Sequence, residues 1–355
     1  MGQATFEDYR QEVSNWVANH RDFVTNDIAF ELSINTPHEW RPNGTVEKGI
    51  LLIHGLGDSP WSFFDIAPIL AENGFLVRVI LLPGGGTNPE DLIDITADDW
   101  RDVVAEQARI MQKEVPKLYL GGFSLGANLA LEYAFDHPEI AGLILYSPAI
   151  RAAVPFDFLA PLVSIFSDWV IEPNDNRPNK DAMRYHVVPT NAFAQLSYIS
   201  SSVRDRLKEE PFTRPVVITL SEHDSVLDVQ YILERFEISF TNPKSRLIYY
   251  GSPSQGLSER VYFFPDRVPE WRISSFSHMA SMFSPSNEYY GFNGKVPYCA
   301  NGQSEQDYQK CMQGAQVWYS AWGYREPNKI HARLTFNPYF DLQTEIILSV
   351  LETAD

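Results

Sequence analysis

The segment 49–150 alternates short, continuously apolar runs with amphipathic stretches of helical length. Strands that are covered on both faces of a sheet are continuously apolar, and their regular alternation with helices is typical of β-α-β units stacked on a parallel sheet. This feature predicts an α/β fold with a mostly parallel sheet and helices on both faces. The predicted strands are 49–53, 76–82, 118–121 and 142–146, and the predicted helices are 61–72, 97–114 and 125–135.

The same alternation resumes after residue 210. A further amphipathic segment at 6–20 precedes the alternating segment 49–150. The whole chain, 1–355, is therefore expected to form one domain, since a chain of this length can bury a large core. The further predicted strands are 215–220 and 246–250, and the further predicted helices are 6–20, 229–238 and 338–351.

Two segments interrupt the alternation. Residues 151–210 begin with an apolar run broken by Pro155 and Pro161 and continue into a polar stretch. Such a run can be ordinary core packing, but large apolar surface also marks binding regions, and we predict a cap or lid over an apolar pocket. Residues 283–330 are rich in Tyr, Trp, Gly, Asn and Pro, and we predict a loop-rich insertion there.

The net charge of −18 disfavours a nucleic-acid partner, because such binding draws its affinity from clustered Lys and Arg. No apolar run reaches the length of a membrane span, and the first ten residues lack the basic head and apolar core of a signal peptide. We therefore expect neither a nucleic-acid complex nor a membrane span.

The sequence Gly122-Phe-Ser-Leu-Gly126 lies between a predicted strand and a predicted helix. A sharp turn in that context holds its central serine in strained backbone geometry and leaves no room for side chains on either flank, so it requires both glycines. We predict Ser124 as a nucleophile, with the N–H of Leu125 as one oxyanion donor at the positive end of the helix. The alternative is a serine that simply caps the helix.

His54-Gly55-Leu56-Gly57 follows the first core strand. A backbone N–H just after such a His-Gly pair can be the second oxyanion donor, so we predict that the N–H of Leu56 acts beside that of Leu125. His54 itself is expected to shape the loop rather than to transfer a proton. The glycines at 84–86 lack the spacing and the lysine of a phosphate-binding loop and are expected to form a turn.

Four motifs follow one another in a familiar order: HGLG, LPGGGTNPEDL, GFSLGANLALEYA and SEHDSVLD. Together they resemble the α/β-hydrolase superfamily, in its branch of esterases and monoacylglycerol-lipase-like carboxylesterases, over 49–150 and 215–238. Where the family often has Pro-Gly-His-Gly, this chain has Pro83-Gly-Gly-Gly86. The resemblance implies an α/β-hydrolase fold, cleavage of a carboxylic ester without cofactor or metal, and a chain order of nucleophile, acid and base.

Asp224 falls at the family's acid position, on the loop after strand 215–220. A triad acid must stand beside the histidine to fix its tautomer and stabilise the imidazolium. Glu222 and Asp228 are alternatives in the same loop. The run Glu222-His223-Asp224 could pass for metal ligands, but adjacent side chains on an extended strand end point in opposite directions, so we expect no metal.

The base has two candidates, His278 and His331. We prefer His278, because it follows a β-rich run at 271–276 in a strand-end loop. His331 precedes the last predicted helix, which also suits a family histidine. His20, His38, His137 and His186 lack supporting context.

The resulting expectation is acyl transfer, in which His278 deprotonates Ser124 and the serine attacks an ester carbonyl. The apolar cap and the net charge favour an apolar ester, of short or medium acyl chain or monoacylglycerol-like, over an anionic one. A thioesterase or a peptidase can run on the same triad. The alternative from another class is an inactive binding protein for an apolar ligand.

Cys299 and Cys311 are the two cysteines, and both lie in the predicted loop-rich insertion. We predict that they are joined, because a turn can bring residues so close in sequence to disulfide distance. The chain is expected to be cytoplasmic, or periplasmic or secreted if the disulfide forms and a signal segment has been removed.

Overall fold

The computed structural model describes residues 2–153, 169 and 180–352. The described residues fall into two compact units: the first lies within Met1–Ile150 and Pro155–Glu210, and the second within Arg151–Val154 and Pro211–Asp355. In these ranges no helix combines the length and the apolar character that a bilayer crossing requires.

The first unit is built on strands in the order β1-β3-β2-β4-β5, of which only the edge strand β1 is antiparallel to its neighbour. Ile53 at the end of β2 pairs with Gly122 near the end of β4, so the loops that follow these two strands emerge side by side. Ligands bind beyond the carboxyl ends of such strands. The strands are β1 His38–Trp40, β2 Lys48–Ile53, β3 Phe75–Ile80, β4 Lys117–Phe123 and β5 Ile140–Tyr146.

Helices cover both faces of this sheet. The chain moves from β2 to β3 in one direction and from β3 through β4 to β5 in the other, so right-handed crossovers put α3 on one face and α4 and α5 on the opposite face. In agreement, α4 contacts α5. The helices are α1 Phe6–His20, α2 Ile28–Ile34, α3 Ile66–Glu72, α4 Ala97–Gln112, α5 Leu125–Asp136 and α6 Thr190–Glu209.

Capping residues fix where two of these helices begin. Thr5 and Asp8 form a capping box at the start of α1, and Thr96 and Asp99 form another at the start of α4. In each box the threonine accepts a backbone N–H while the aspartate accepts the N–H of the cap residue, which satisfies two donors that a helix start leaves without a partner.

The second unit contains three consecutive parallel strands in the order β6-β7-β8 and a separate parallel pair, β9 and β10. The C-terminal helix α9 packs on β6 and β7. The elements are β6 Val216–Ser221, α7 Val229–Ser239, β7 Arg246–Tyr250, β8 Val261–Phe264, α8 Glu305–Met312, β9 Trp318–Ser320, β10 His331–Arg333 and α9 Phe340–Glu352.

The mostly parallel α/β architecture is confirmed, and every predicted strand and helix of the core has a counterpart. The β-rich run expected at 271–276 is wrong, since it contains the end of a 3₁₀ turn and isolated bridges from Ile273 to Val268 and Tyr319 rather than a strand. Phe276 is buried in a loop, where it stacks on Tyr250 at 4.6 Å between ring centroids.

The two predicted insertions differ in how much of them the structure describes. Of the cap, residues 154–168 and 170–179 lie outside the described residues, and the rest ends in α6, so the cap stays a prediction. The segment 283–330 contains α8 and β9 as well as loops. Cys299 and Cys311 are joined within it, with their Cα atoms 5.8 Å apart, as predicted.

Candidate active site

Ser124 stands alone between β4, which ends at Phe123, and α5, which begins at Leu125. Its backbone has φ 54° and ψ −110°, a conformation that non-glycine residues rarely adopt. Although it occupies the N-cap position, its side chain makes no capping hydrogen bond. A helix-capping role therefore does not explain why a serine occupies this position, because its hydroxyl does not cap the helix.

The two flanking glycines are required by close backbone contacts. A Cβ on Gly122 would lie 2.2 Å from the carbonyl carbon of Gly126, and a Cβ on Gly126 would lie 2.0 Å from the carbonyl oxygen of Ile53. The turn can be this tight only because neither residue has a side chain. Ser124, which is 8% exposed, is consequently held at a fixed position above the end of β2.

The loop after β2 packs against the elbow. A Cβ on Gly55 would meet the Phe123 ring at 2.8 Å, so Leu56 follows a backbone segment that is already in contact with the residue before Ser124. Leu125 is the first residue of α5, and the first N–H groups of a helix have no partner within it. These positions suit the predicted oxyanion donors, which stay a prediction.

His54 holds this loop in place. Its Nδ1–H donates to the Gly55 carbonyl at 2.8 Å, and its Nε2 accepts the N–H of Leu82 at 3.0 Å. The ring is buried, and burial lowers its pKa. Because both ring nitrogens are engaged and the neutral form is favoured, His54 fits the structural role expected of it.

The described end of the predicted cap is bonded to the loops beside the elbow. Tyr185 donates its backbone N–H to the Gly57 carbonyl at 2.7 Å and its hydroxyl to the Gly84 carbonyl at 3.1 Å, and it accepts the N–H of Thr87. Lys180 donates to the Thr87 carbonyl at 2.9 Å, and burial lowers its pKa to about 8. The glycines at 84–86 form the expected turn, closed by a bond from Gly85 to Leu82.

Asp224 and His278, in the second unit, are hydrogen-bonded to each other. Nδ1 of His278 lies 2.7 Å from Oδ2 of Asp224, whose side chain is 0% exposed. The other carboxylate oxygen accepts the N–H groups of Val226 and Leu227. The acid is thus fixed in orientation, and it places the proton of the neutral imidazole on Nδ1, which makes Nε2 the basic nitrogen.

A serine relay brings His278 to this place without the predicted strand. Ser221, the last residue of β6, donates to the carbonyl of Ser277 at 3.1 Å, and the Ser277 hydroxyl donates to the carbonyl of Leu334. The residue before the histidine is therefore tied to the strand that leads into the Asp224 loop. Sequence reasoning located the histidine but not these bonds.

His331, the rival candidate, is placed elsewhere. It begins β10, where Nδ1 bonds to Ser320 at 3.1 Å and Nε2 accepts the N–H of Glu326 at 3.3 Å. The residue is buried, and burial lowers its pKa. These contacts describe a structural histidine.

The other acids of the Asp224 loop have different partners. Asp228 caps α7 by accepting the N–H of Tyr231 at 3.1 Å. His223 donates to Asp266 at 2.7 Å rather than to Asp224. Residues 222–223 form a turn and not the expected extended strand end, so the expectation that adjacent side chains diverge is wrong for Glu222 and His223. Among the described residues, Glu222, His223 and Asp266 are the group that could hold a metal ion, with ligand atoms within 4.8 Å of one another, but Glu222 and His223 are exposed. Sequence reasoning missed the His223–Asp266 pair, whose members are too far apart in sequence to give a signal.

Comparison with known proteins identifies the family. Residues 44–173 match the family model described as serine aminopeptidase, S33. Over 192 residues the chain is 30% identical to a thermostable monoacylglycerol lipase from Bacillus sp. strain H-257, in an alignment that covers 52% of this chain and 73% of that lipase. The chain belongs to the monoacylglycerol-lipase-like branch of the α/β-hydrolase superfamily.

Further similarities agree with this membership. The chain is 30% identical to human monoglyceride lipase over 135 residues, which cover 35% of this chain and 44% of that protein. A solved structure from work on two metagenome-derived lipolytic enzymes, LipS and LipT, shares the fold, with a TM-score of 0.53 and 23% identity over 61% of this chain and 86% of the other. The predicted family, fold class and enzyme class, a carboxylic ester hydrolase, are thereby confirmed.

Proposed function

We propose that this hydrolase cleaves apolar carboxylic esters through a triad of Ser124, His278 and Asp224. The observation that carries the proposal is the conformation of Ser124, a non-glycine residue at φ 54° between two glycines that tolerate no Cβ. Strain of this kind costs roughly 1–3 kcal/mol and is kept where function uses it. The buried Asp224–His278 hydrogen bond supplies the oriented base that such a serine requires.

The proposed reaction has two halves. Nε2 of His278 takes the proton from Ser124 as Oγ attacks the ester carbonyl, and the N–H groups of Leu56 and Leu125 bind the oxyanion. The imidazolium then protonates the leaving alkoxide, and the acyl group stays on Oγ. In the second half His278 deprotonates water, which attacks the acyl-enzyme. The imidazolium then returns the proton to Oγ of Ser124 as the bond between Oγ and the acyl carbon breaks, which releases the acid and the free serine.

The proposed substrates are esters of short or medium acyl chains, including monoacylglycerols. The names of the relatives point to monoacylglycerols as the substrates of those proteins, and the net charge of −18 repels anionic esters at long range. The predicted cap at 151–210 would supply an apolar pocket. Thioesters and peptides remain competing substrate classes, because the same triad serves them.

A substrate panel with a nucleophile variant tests the proposal. We expect hydrolysis of p-nitrophenyl butyrate and of a medium-chain monoacylglycerol, with slower or no turnover of an acyl thioester and an aminoacyl anilide. Ser124→Ala should abolish ester turnover without lowering the melting temperature appreciably, because Ala keeps the size of the site. Preference for the thioester or the anilide would overturn the substrate class, and apolar ligand binding without any turnover would favour the inactive binding protein.

A further inference from the structure

The carbonyl oxygen of Ser124 is held by two donors. The N–H of Ala149, in the loop after β5, donates to it at 3.2 Å, as does the N–H of Asn128 in the first turn of α5. The N–H of Ser124 in turn donates to the carbonyl of Tyr146 at 2.9 Å. The strained conformation of Ser124 therefore depends on the position of the loop 147–150 as well as on its own glycines.

That loop is itself strained. Ser147 has φ 42°, so a second non-glycine residue in the left-handed region lies at the end of the neighbouring strand. A backbone held in such a region relaxes unless its surroundings determine it completely. Something beyond the backbone must hold 147–150 in place.

Asn128 and Ser200 provide this hold. The Asn128 amide donates to the Ala149 carbonyl at 2.7 Å and to the Ser200 hydroxyl at 3.1 Å, and the Ser200 hydroxyl donates to the same carbonyl at 2.7 Å. Asn128 is 0% exposed and Ser200 is buried. These buried hydrogen bonds are costly to disrupt, because water cannot replace a lost partner, although Oδ1 of Asn128 accepts no bond among the described residues.

A third donor comes from the same face of α6. Arg204 lies one turn after Ser200 and donates to the Ile150 carbonyl at 2.9 Å. Two successive carbonyls of the loop thus accept side chains from α6, while Asn128 joins them to the helix that carries Ser124. This helix, the last element of the predicted cap, is bonded to the segment that supports the elbow.

We propose that Asn128 and Ser200 are positioning residues that hold Ser124 in its attacking geometry by fixing the loop 147–150. This inference rests on the proposed function, in which Ser124 is the nucleophile. It predicts that loss of the Ser200 hydroxyl slows acylation of Ser124 and leaves substrate binding unchanged, because neither residue needs to touch the substrate.

Acylation kinetics of Ser200→Ala test the proposal, with Ser201→Ala as the matched control on the next, half-buried residue of α6. The rate of labelling by a fluorophosphonate and kcat for p-nitrophenyl butyrate, both per titrated active site and well below the melting temperature, should fall together by about tenfold in Ser200→Ala. KM should stay within twofold, and Ser201→Ala should match the wild type. Asn128→Ala should show a larger loss if it folds; Ser200→Ala, the milder change, carries the test.

Two results would contradict the inference in distinguishable ways. If Ser124→Ala is inactive while Ser200→Ala is labelled and turns over at wild-type rates, the positioning role fails and the proposed function stands. If Ser124→Ala keeps wild-type turnover, the proposed function fails and the inference with it. A general loss of folded protein lowers the number of titratable sites but not the labelling rate per site, so it cannot imitate the expected result.

Discussion

Individual residues show why geometry separates similar side chains. His278, His223 and His331 all lie in the second unit and all bond through Nδ1, but their partners differ. His278 faces a carboxylate that is completely buried and held by two N–H groups, His223 is itself exposed and faces the carboxylate of Asp266, and His331 faces a serine. Only the first arrangement holds an imidazole against a carboxylate that is closed off from water and oriented by backbone N–H groups.

The first prediction concerns the base. His278→Ala should lower kcat for ester hydrolysis by a factor on the order of 10³ or more, because only oxyanion stabilisation and substrate binding remain. The melting temperature should change little, since the histidine is partly exposed. Steady-state kinetics with p-nitrophenyl butyrate measure the loss.

His331 and His223 supply the controls. His331→Ala should stay within about tenfold of the wild type per folded molecule, and His223→Ala, which removes a His-Asp pair outside the proposed triad, should stay within about threefold. A large loss of kcat in His331→Ala together with a small loss in His278→Ala would show that His331, and not His278, is the base.

The hydrogen bond to Asp266 raises the pKa of His223 above its usual value of 6.5. The folded state then binds the proton more tightly than the unfolded state, so the stabilisation is complete below pH 6.5 and is lost as the pH rises through the folded pKa. The free energy of unfolding of the wild type should exceed that of His223→Ala most at pH 6, and the difference should shrink by pH 8.5. Urea denaturation at both pH values measures it. A difference that grows with pH would contradict the assignment.

At the scale of elements, the strand-turn-helix around Ser124 depends on backbone contact. Gly126→Ala would place its Cβ 2.0 Å from the Ile53 carbonyl oxygen, and we expect a loss of about 3 kcal/mol or more in unfolding free energy, with loss of activity. Gly44→Ala is the matched control in the same unit, since Gly44 has φ +95° but no atom within 4 Å of an added Cβ. Backbone strain alone should lower the free energy of unfolding of Gly44→Ala by about 1–2 kcal/mol. Equal effects of the two changes would mean that the close approach at Gly126 is not required.

The elements predicted well are those whose pattern reflects complete burial. β2 through β5 were located because both faces of each strand are covered, and α1 and α4 begin where their capping residues stand. The run 271–276 was wrongly predicted to be β-rich, because Trp, Ile and Phe favour half-buried positions whether or not the backbone pairs in a sheet. Strand β8 and helix α6 were missed: polar residues precede the first, and a run of serines of modest helix propensity interrupts the second.

For the site, sequence reasoning could name residues but not their bonds. The elbow context identified Ser124, and the resemblance supplied Asp224. The sequence favours His278 over His331 through a β-rich run that forms no strand, and only the environment of each ring distinguishes the two. The hold on the loop 147–150 joins Asn128 to Ser200, on a helix that the sequence pattern did not reveal. Long-range pairs of this kind have no periodicity that a single sequence displays.

At the scale of the whole molecule, the disulfide bears on where the protein works. The disulfide joins Cys299 to Cys311 in the last turn of α8, and closing a loop of this length contributes about 3 kcal/mol in the chain-entropy model. We predict no titratable thiol in the denatured, unreduced protein. Cys299→Ser should lower the free energy of unfolding by about 3 kcal/mol. An oxidising compartment is then the proposed location. Two free thiols would contradict the bond and favour the cytoplasm.

We propose that Ser124 forms the acyl-enzyme. Mass spectrometry of the protein after reaction with a fluorophosphonate tests it most directly, because the phosphonyl group stays on the attacking oxygen. We expect one adduct per chain, on the peptide that contains Ser124, no adduct in Ser124→Ala, and labelling slowed by orders of magnitude in His278→Ala. An adduct on another residue, or an unlabelled wild type that still hydrolyses esters, would contradict it.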